Sequence, residues 1–358
     1  MLIYILVVLI PLLVSELYSR KVKINNLLTD KAEKKLRWKY IFLSALPMFF
    51  LVAFRNQDLG ADTGVYLSHF EQMINKPWDQ IFDRSRMEHG YLIFVKLITY
   101  ITHSPLMFQI IYSTIYLFAI ASFINELEED YFFVLFLFGT LGTYIFMFTG
   151  VRQNLAISIC LFSFRFIKKR KILPFALLML LAFYFHKSSI LFVAAYLIYS
   201  RKLSWWNLFI YIVVMFIVVF YLEVIQQWFN DQFEYDYGIE GNAGGIIFSL
   251  VIISLTIFTI FLIYANKSLN KQSQGLINIG LIATIFWVLR IITRVAERPS
   301  YYFLPFLFAA LAYAINHIKK GEEKNTVKLV VVVLALALYI YKFFTSFSSL
   351  VPYIFYAF

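Results

Sequence analysis

Residues 91–103 read YLIFVKLITYITH, and whether they cross a membrane decides the fold. The stretch is apolar, but it is only 13 residues long, carries Lys96 in its middle and runs into Ser104-Pro105. A helix of that length covers about 20 Å at 1.5 Å per residue, short of a hydrocarbon core ~30 Å thick. On either side of it lie apolar stretches at 2–18, 40–54, 105–125, 131–148, 151–167, 172–185, 188–199, 207–225, 246–264, 275–294, 299–317 and 327–345. Basic residues fill the gaps between some of them. Eight fall between Arg20 and Lys39, Lys168–Lys171 reads KKRK, and Arg201-Lys202, Lys267, Lys271, Lys319, Lys320, Lys324 and Lys328 follow. Basic loops mark the cytoplasmic side. They all fall on that side only if 91–103 is not counted as a crossing.

The expectation is therefore an all-α polytopic membrane protein of about 12 transmembrane helices. An outer interfacial or re-entrant helix sits at 91–103, and both termini lie outside. Residues 1–358 form one integral membrane domain, with outer loops 55–90 and 226–245. No basic residue precedes the first span and a dense basic block follows it, the reverse of a secretory signal, so that span is read as retained.

Composition agrees. Of 358 residues, 61% are hydrophobic and 15% charged, with mean hydropathy +0.74, against ~45–50% apolar and ~25% charged in soluble domains. A soluble enzyme, a disordered chain and a nucleic-acid-binding domain are excluded. The net charge of +11 needs no polyanionic partner, because the side assigned to the inside, counting Arg165 and Glu16 at the span ends, holds 21 Lys and Arg against 9 Asp and Glu. Cys160 is alone, so neither a disulfide nor a paired-cysteine metal site is available.

Charge inside or at the edge of an apolar span is costly and reads as functional. Arg152, His186, Lys187, Arg290, Arg294, Glu297 and Arg298 all fall at span ends assigned to the outer side, as do the loop charges Arg55, Asp58, Asp62 and Glu88. Arg290, Arg294 and Arg298, spaced i, i+4, i+8, would stack three guanidiniums on one helix face. That arrangement suits an anion such as pyrophosphate; snorkelling to headgroups is the alternative. Arg152 follows Gly150 at the start of a helix, where an anion is already favoured, or anchors a headgroup. His186, before Lys187-Ser188-Ser189, is placed to act as a general base or to cap a hairpin. Asp58 and Asp62 flank Gly60 in a polar run that could bind Ca²⁺ or sugar hydroxyls or position a base, and that fits no EF-hand. P-loop, H-E-x-x-H and G-x-S-x-G motifs are absent. With no nucleotide-sugar domain, an outward-facing enzyme needs a donor that is lipid-linked and already activated.

The landmarks Arg55 with Gly60-Ala61-Asp62 and Tyr66, Glu88-His89-Gly90-Tyr91, Val151-Arg152-Gln153-Asn154, His186-Lys187-Ser188-Ser189 and Arg298-Pro299-Ser300-Tyr301-Tyr302 run in order through nearly the whole chain. In this it resembles the EpsG family, relatives of the Wzy-type O-antigen and capsule polymerases. The resemblance implies a GT-C-like fold in the bacterial cytoplasmic membrane. It also implies an inverting, metal-independent glycosyltransferase without a cofactor, which polymerises undecaprenyl-pyrophosphate-linked oligosaccharide repeat units on the outer face. On this basis His186, Asp62 or Glu88 removes the acceptor proton, with His186 first. Arg152, Arg290, Arg294 and Arg298 hold the pyrophosphate, and Arg55, Asp58, Gln153, Lys187 and Tyr302 contact glycan. A flippase and a chain-length regulator are the protein partners expected. A lipid-linked oligosaccharide flippase would meet the same pyrophosphate but should carry charge near the midplane and on both sides. An acyltransferase would need reactive residues in the inner half, where none is found.

Overall fold

The computed structural model describes residues 1–24, 29–83, 85–127, 130–221, 223–224, 227–228 and 245–356. Among them there are helices and a single isolated bridge, Arg55 to Phe355, and no strand. In chain order the α-helices are α1 (Leu2–Ile24), α2 (Asp30–Ala53), α3 (Thr63–Ile74), α4 (His89–Thr99), α5 (Pro105–Asn125), α6 (Tyr131–Thr140), α7 (Thr143–Phe146) and α8 (Val151–Lys168). There follow α9 (Ile172–Phe185), α10 (Val193–Ile198), α11 (Trp205–Phe220), α12 (Ile246–Ala265), α13 (Lys271–Leu289), α14 (Glu297–Ser300), α15 (Leu304–Asn316) and α16 (Gly321–Thr345).

Six of them, α1, α2, α5, α12, α13 and α16, are long and apolar enough to cross a membrane. The shorter apolar helices among the described residues include α4, α6, α9, α11 and α15. The chain is a multi-pass membrane protein. Helix α4 has 11 residues and so is about 16 Å long, which keeps it well short of a bilayer core.

The chain packs as two compact units. The first comprises 1–165, 173–186 and 326–358, and the second 166–172 and 187–325. In the first, α2 packs on α5, α1 on α2 and α6, and α3 on α4 and α5. One end of this unit is tied by polar contacts. Arg37 donates to Asn125 Oδ1 and to the Tyr131 hydroxyl, each at 2.9 Å. Asp130 caps α6 and takes Lys328 Nζ on α16 at 2.7 Å. In the second unit α13 and α15 form the central pair, with α12 against both. Every residue from Leu304 to Ile315 is buried, as expected of a helix that is apolar all round.

Several sequence boundaries move. The apolar run 131–148 breaks into α6 and α7 at Leu141-Gly142, where Gly142 has φ +91°. The 40–54 span begins ten residues earlier, because Thr29 caps α2 and the basic residues 31–39 continue the helix. Segment 188–199 is a 3₁₀ turn, Lys187–Phe192, followed by α10. The expected outer loop 55–90 is partly helical, containing α3 and a 3₁₀ turn at Trp78–Gln80. Almost all of the expected loop 226–245 lies outside the described residues.

Candidate functional site

The site in the first unit is built on the Arg55–Asp62 turn. Arg55 is fully buried. Its Nε donates to Thr63 Oγ1 at 3.1 Å and its Nη2 to the Tyr112 hydroxyl at 3.0 Å, while Nη1 reaches the Val52 carbonyl. A buried guanidinium must have its donors filled, and here oxygens of the scaffold fill them. No carboxylate of the 55–90 segment is among these partners. Thr63 passes this anchoring on, its hydroxyl donating to Leu59 O at 2.7 Å with Phe148 O at 3.1 Å. Gly60 permits the turn: its φ is +91°, and a Cβ there would lie 1.9 Å from Phe148 O.

Asp62 is thereby fixed against the 146–150 turn, where Oδ2 accepts from Gly150 N at 3.1 Å. The same turn is held by Asn154, whose Nδ2 donates to Phe146 O at 2.9 Å and Thr149 O at 2.7 Å. Two residues past Gly150, Arg152 projects from the first turn of α8. Its Nε donates to the Tyr66 hydroxyl of α3 at 3.4 Å.

Glu88 joins the separate pieces. Its Oε2 takes Arg152 Nη1, and its Oε1 lies 2.9 Å from His186 Nδ1. The Glu88 side chain is 3% exposed, that of His186 6% and that of Arg152 20%. A buried carboxylate is tolerated only when paired and hydrogen-bonded, and this one has a cation on one oxygen and an imidazole on the other. Because a carboxylate only accepts, His186 Nδ1 carries the hydrogen of this contact.

Gly90 makes this meeting possible. Glu88 precedes α4 and His186 follows α9, and the two helices touch where a Cβ on Gly90 would be 2.6 Å from Tyr184 O. No side chain fits there. Lys96, farther along α4, donates to Met73 O at 2.9 Å and Ile74 O at 3.2 Å. Its charge is compensated by the carbonyl end of α3, and it holds α3 against α4. Lys96 is thus a structural cation.

The second unit contains the other arginines, and they do not stack. Helix α13 stops at Leu289 with Arg290 as its cap, Thr293 is extended at φ −135°, and Arg294–Ala296 is a 3₁₀ turn before α14. Three successive β-branched residues, Ile291-Ile292-Thr293, favour this exit from the helix, and the Thr293 hydroxyl caps Val295 N at 3.4 Å. Arg290 Nε donates to Glu297 Oε2 at 3.0 Å, and the Tyr301 hydroxyl donates to Oε1 of the same carboxylate at 3.0 Å. Arg294 and Arg298 are exposed. Tyr302 is buried, 3.1 Å from Ser188 Oγ, Gln153 is buried, Lys187 half-buried and Asp58 exposed.

The model of a known family matches residues 38–355. The chain belongs to the EpsG family. Membership suggests a Wzy-like polysaccharide polymerase. No curated protein and no solved structure matches this EpsG chain.

His69 is the residue of this EpsG site that sequence reasoning missed. It lies on α3 one turn after Tyr66, with its ring stacked on Tyr91 at 5.8 Å. Burial, with Lys76 and Arg152 nearby, pulls its pKa down to about 4. The available signal was the spacing Asp62, Tyr66, His69 at i, i+4, i+7, which places all three on one helical face. The polar, glycine-bearing run at 55–64 gives this segment the character of a loop and masks the period.

Proposed function

We propose that this EpsG protein polymerises polyprenyl-pyrophosphate-linked oligosaccharide repeat units on the outer face of the bacterial cytoplasmic membrane. The observation that carries the proposal is Glu88, which holds Arg152 with one oxygen and His186 with the other in a buried cluster. Glu88 fixes the tautomer of His186, so that Nε2 accepts the proton of the acceptor sugar hydroxyl. That hydroxyl oxygen attacks the anomeric carbon of the donor. The carbon–oxygen bond to pyrophosphate breaks with inversion, and the pyrophosphate leaves with the electron pair. Arg152 supplies positive charge to the reacting groups, and Asp62 holds the turn that presents Arg152. Within the second unit taken by itself, the exposed Arg294 and Arg298 are proposed as a separate binding patch for anionic phosphate groups, while Arg290 is engaged by Glu297.

Twelve crossings, with the basic loops inside, remain the proposed topology. Six would be the long helices and six the shorter segments at 131–148, 151–167, 172–185, 188–199, 207–225 and 299–317, the short hairpin of 172–185 and 188–199 crossing where it thins the bilayer. A GT-C-like fold and metal independence belong to the same proposal.

The test is purified protein in vesicles, supplied with a polyprenyl-pyrophosphate-linked oligosaccharide, a metal chelator and neither nucleotide sugar nor ATP. A ladder of products growing by whole repeat units is expected. Transfer of the intact lipid to the other leaflet without a ladder would make the protein a transporter instead.

A further inference from the structure

Two buried polar atoms beside the Glu88 cluster have no hydrogen-bonding partner among the described residues: His69 Nδ1 and the Tyr91 hydroxyl. Their rings stack at 5.8 Å with planes 26° apart, and Tyr66, whose hydroxyl meets Arg152, packs edge-on against Tyr91 at 5.7 Å. Buried polar groups are almost always satisfied, and an unpaired one costs about 1–3 kcal/mol. Two side by side, next to a buried Arg–Glu–His cluster, mark a place built for something else to bond.

We propose that His69 and Tyr91 form a hydroxyl-binding subsite for a sugar ring of the oligosaccharide substrate, which makes His69 a substrate-binding residue of the site. This inference rests on the polymerase reading above.

The chemistry of the pair selects the ligand. A phenol both donates and accepts, and a neutral imidazole offers one donor and one acceptor nitrogen. Sugar hydroxyls, which also do both, match this pair. A phosphate, which only accepts, would be served by cations, and a low pKa keeps His69 neutral at working pH. The His69 side chain is half-buried rather than enclosed. The subsite is framed by Tyr66 and His69 from α3 and by Tyr91 from α4, which is held to α3 by Lys96.

The experiment compares His69→Gln, His69→Asn and Tyr91→Phe with wild type, using a polyprenyl-pyrophosphate-linked oligosaccharide as substrate. His69→Gln and Tyr91→Phe are expected to raise KM about three- to tenfold with little change in kcat, the loss of one hydrogen bond. His69→Asn, whose amide sits near the Nδ1 position, is expected to recover most of the loss. An unchanged KM in His69→Gln, or kcat and folded yield falling together in both histidine variants, would overturn the subsite. Thermal stabilisation by the same oligosaccharide separates this inference from the reaction. A wild type that forms no ladder but is stabilised in a His69-dependent way sinks the polymerase reading and keeps the subsite. A wild type that forms a ladder and is stabilised equally in His69→Gln does the opposite.

Discussion

The two arginine-bearing regions were assembled in opposite ways. In the first unit, Tyr66, Glu88, Arg152 and His186 come from four separate stretches, and they meet as a buried cluster in which one carboxylate serves two partners. In the second unit, Arg290, Arg294 and Arg298 lie within nine residues, yet the helix ends at Leu289 and two of the three are exposed. Regular spacing of like charges did not make a buried cluster, because the backbone left the helix before the second arginine. Convergence of unlike groups did make one, and its cost in desolvation is met by mutual pairing.

The largest effect expected from this contrast is at Glu88. Glu88→Gln removes the charge facing Arg152 and the acceptor that orders His186, and kcat should fall about 10²–10⁴-fold. A comparable loss in Arg290→Ala would shift the chemistry towards the second unit. Next in size is Gly90→Ala, where the new methyl meets Tyr184 backbone at 2.6 Å. Overpacking of this kind costs about 1–3 kcal/mol, so the folded protein should unfold at lower temperature and lose activity with it. A smaller effect is expected from Arg298→Ala, which should raise KM for the pyrophosphate-linked substrate about tenfold, as for one charge-assisted hydrogen bond, and leave thermal stability alone. Added inorganic pyrophosphate should compete less well with that variant.

A separate effect is a pH dependence of stability set by His69. Its folded pKa is about 4 against an ordinary value of 6.5. As pH falls through that interval the unfolded chain binds a proton that the folded chain does not, so stability drops from about pH 6.5 to pH 4 and is level above. Thermal midpoints of His69→Asn should be flatter than wild type over the same range.

Much of the fold could be read from hydropathy. The helices at Pro105–Asn125 and Ile246–Ala265 nearly coincide with their apolar runs, because a long uninterrupted run has only one way to satisfy its backbone in lipid. Shorter runs were less legible. Nothing apolar marks the break at Gly142, and the start of α2 is set by the Thr29 cap rather than by hydropathy. In the site, cost identified His186 and Arg152, because charge is expensive at the end of an apolar span, and Glu88 stood out as a loop charge assigned to the same side. Their pairing was not legible, since it depends on α4 and α9 touching at Gly90. Arg55 was noticed for the same reason, but its partners turned out to be Thr63, Tyr112 and a carbonyl, making it a support of the Asp62 turn.

The most direct measurement is repeat-unit ladder formation by Glu88→Gln beside wild type, both purified as folded protein and given the same polyprenyl-pyrophosphate-linked oligosaccharide. Wild type should extend the glycan and Glu88→Gln should leave it as single units, with thermal stability close enough to wild type to exclude unfolding. A full ladder from folded Glu88→Gln would contradict the central claim that the carboxylate bridging Arg152 and His186 organises the chemistry.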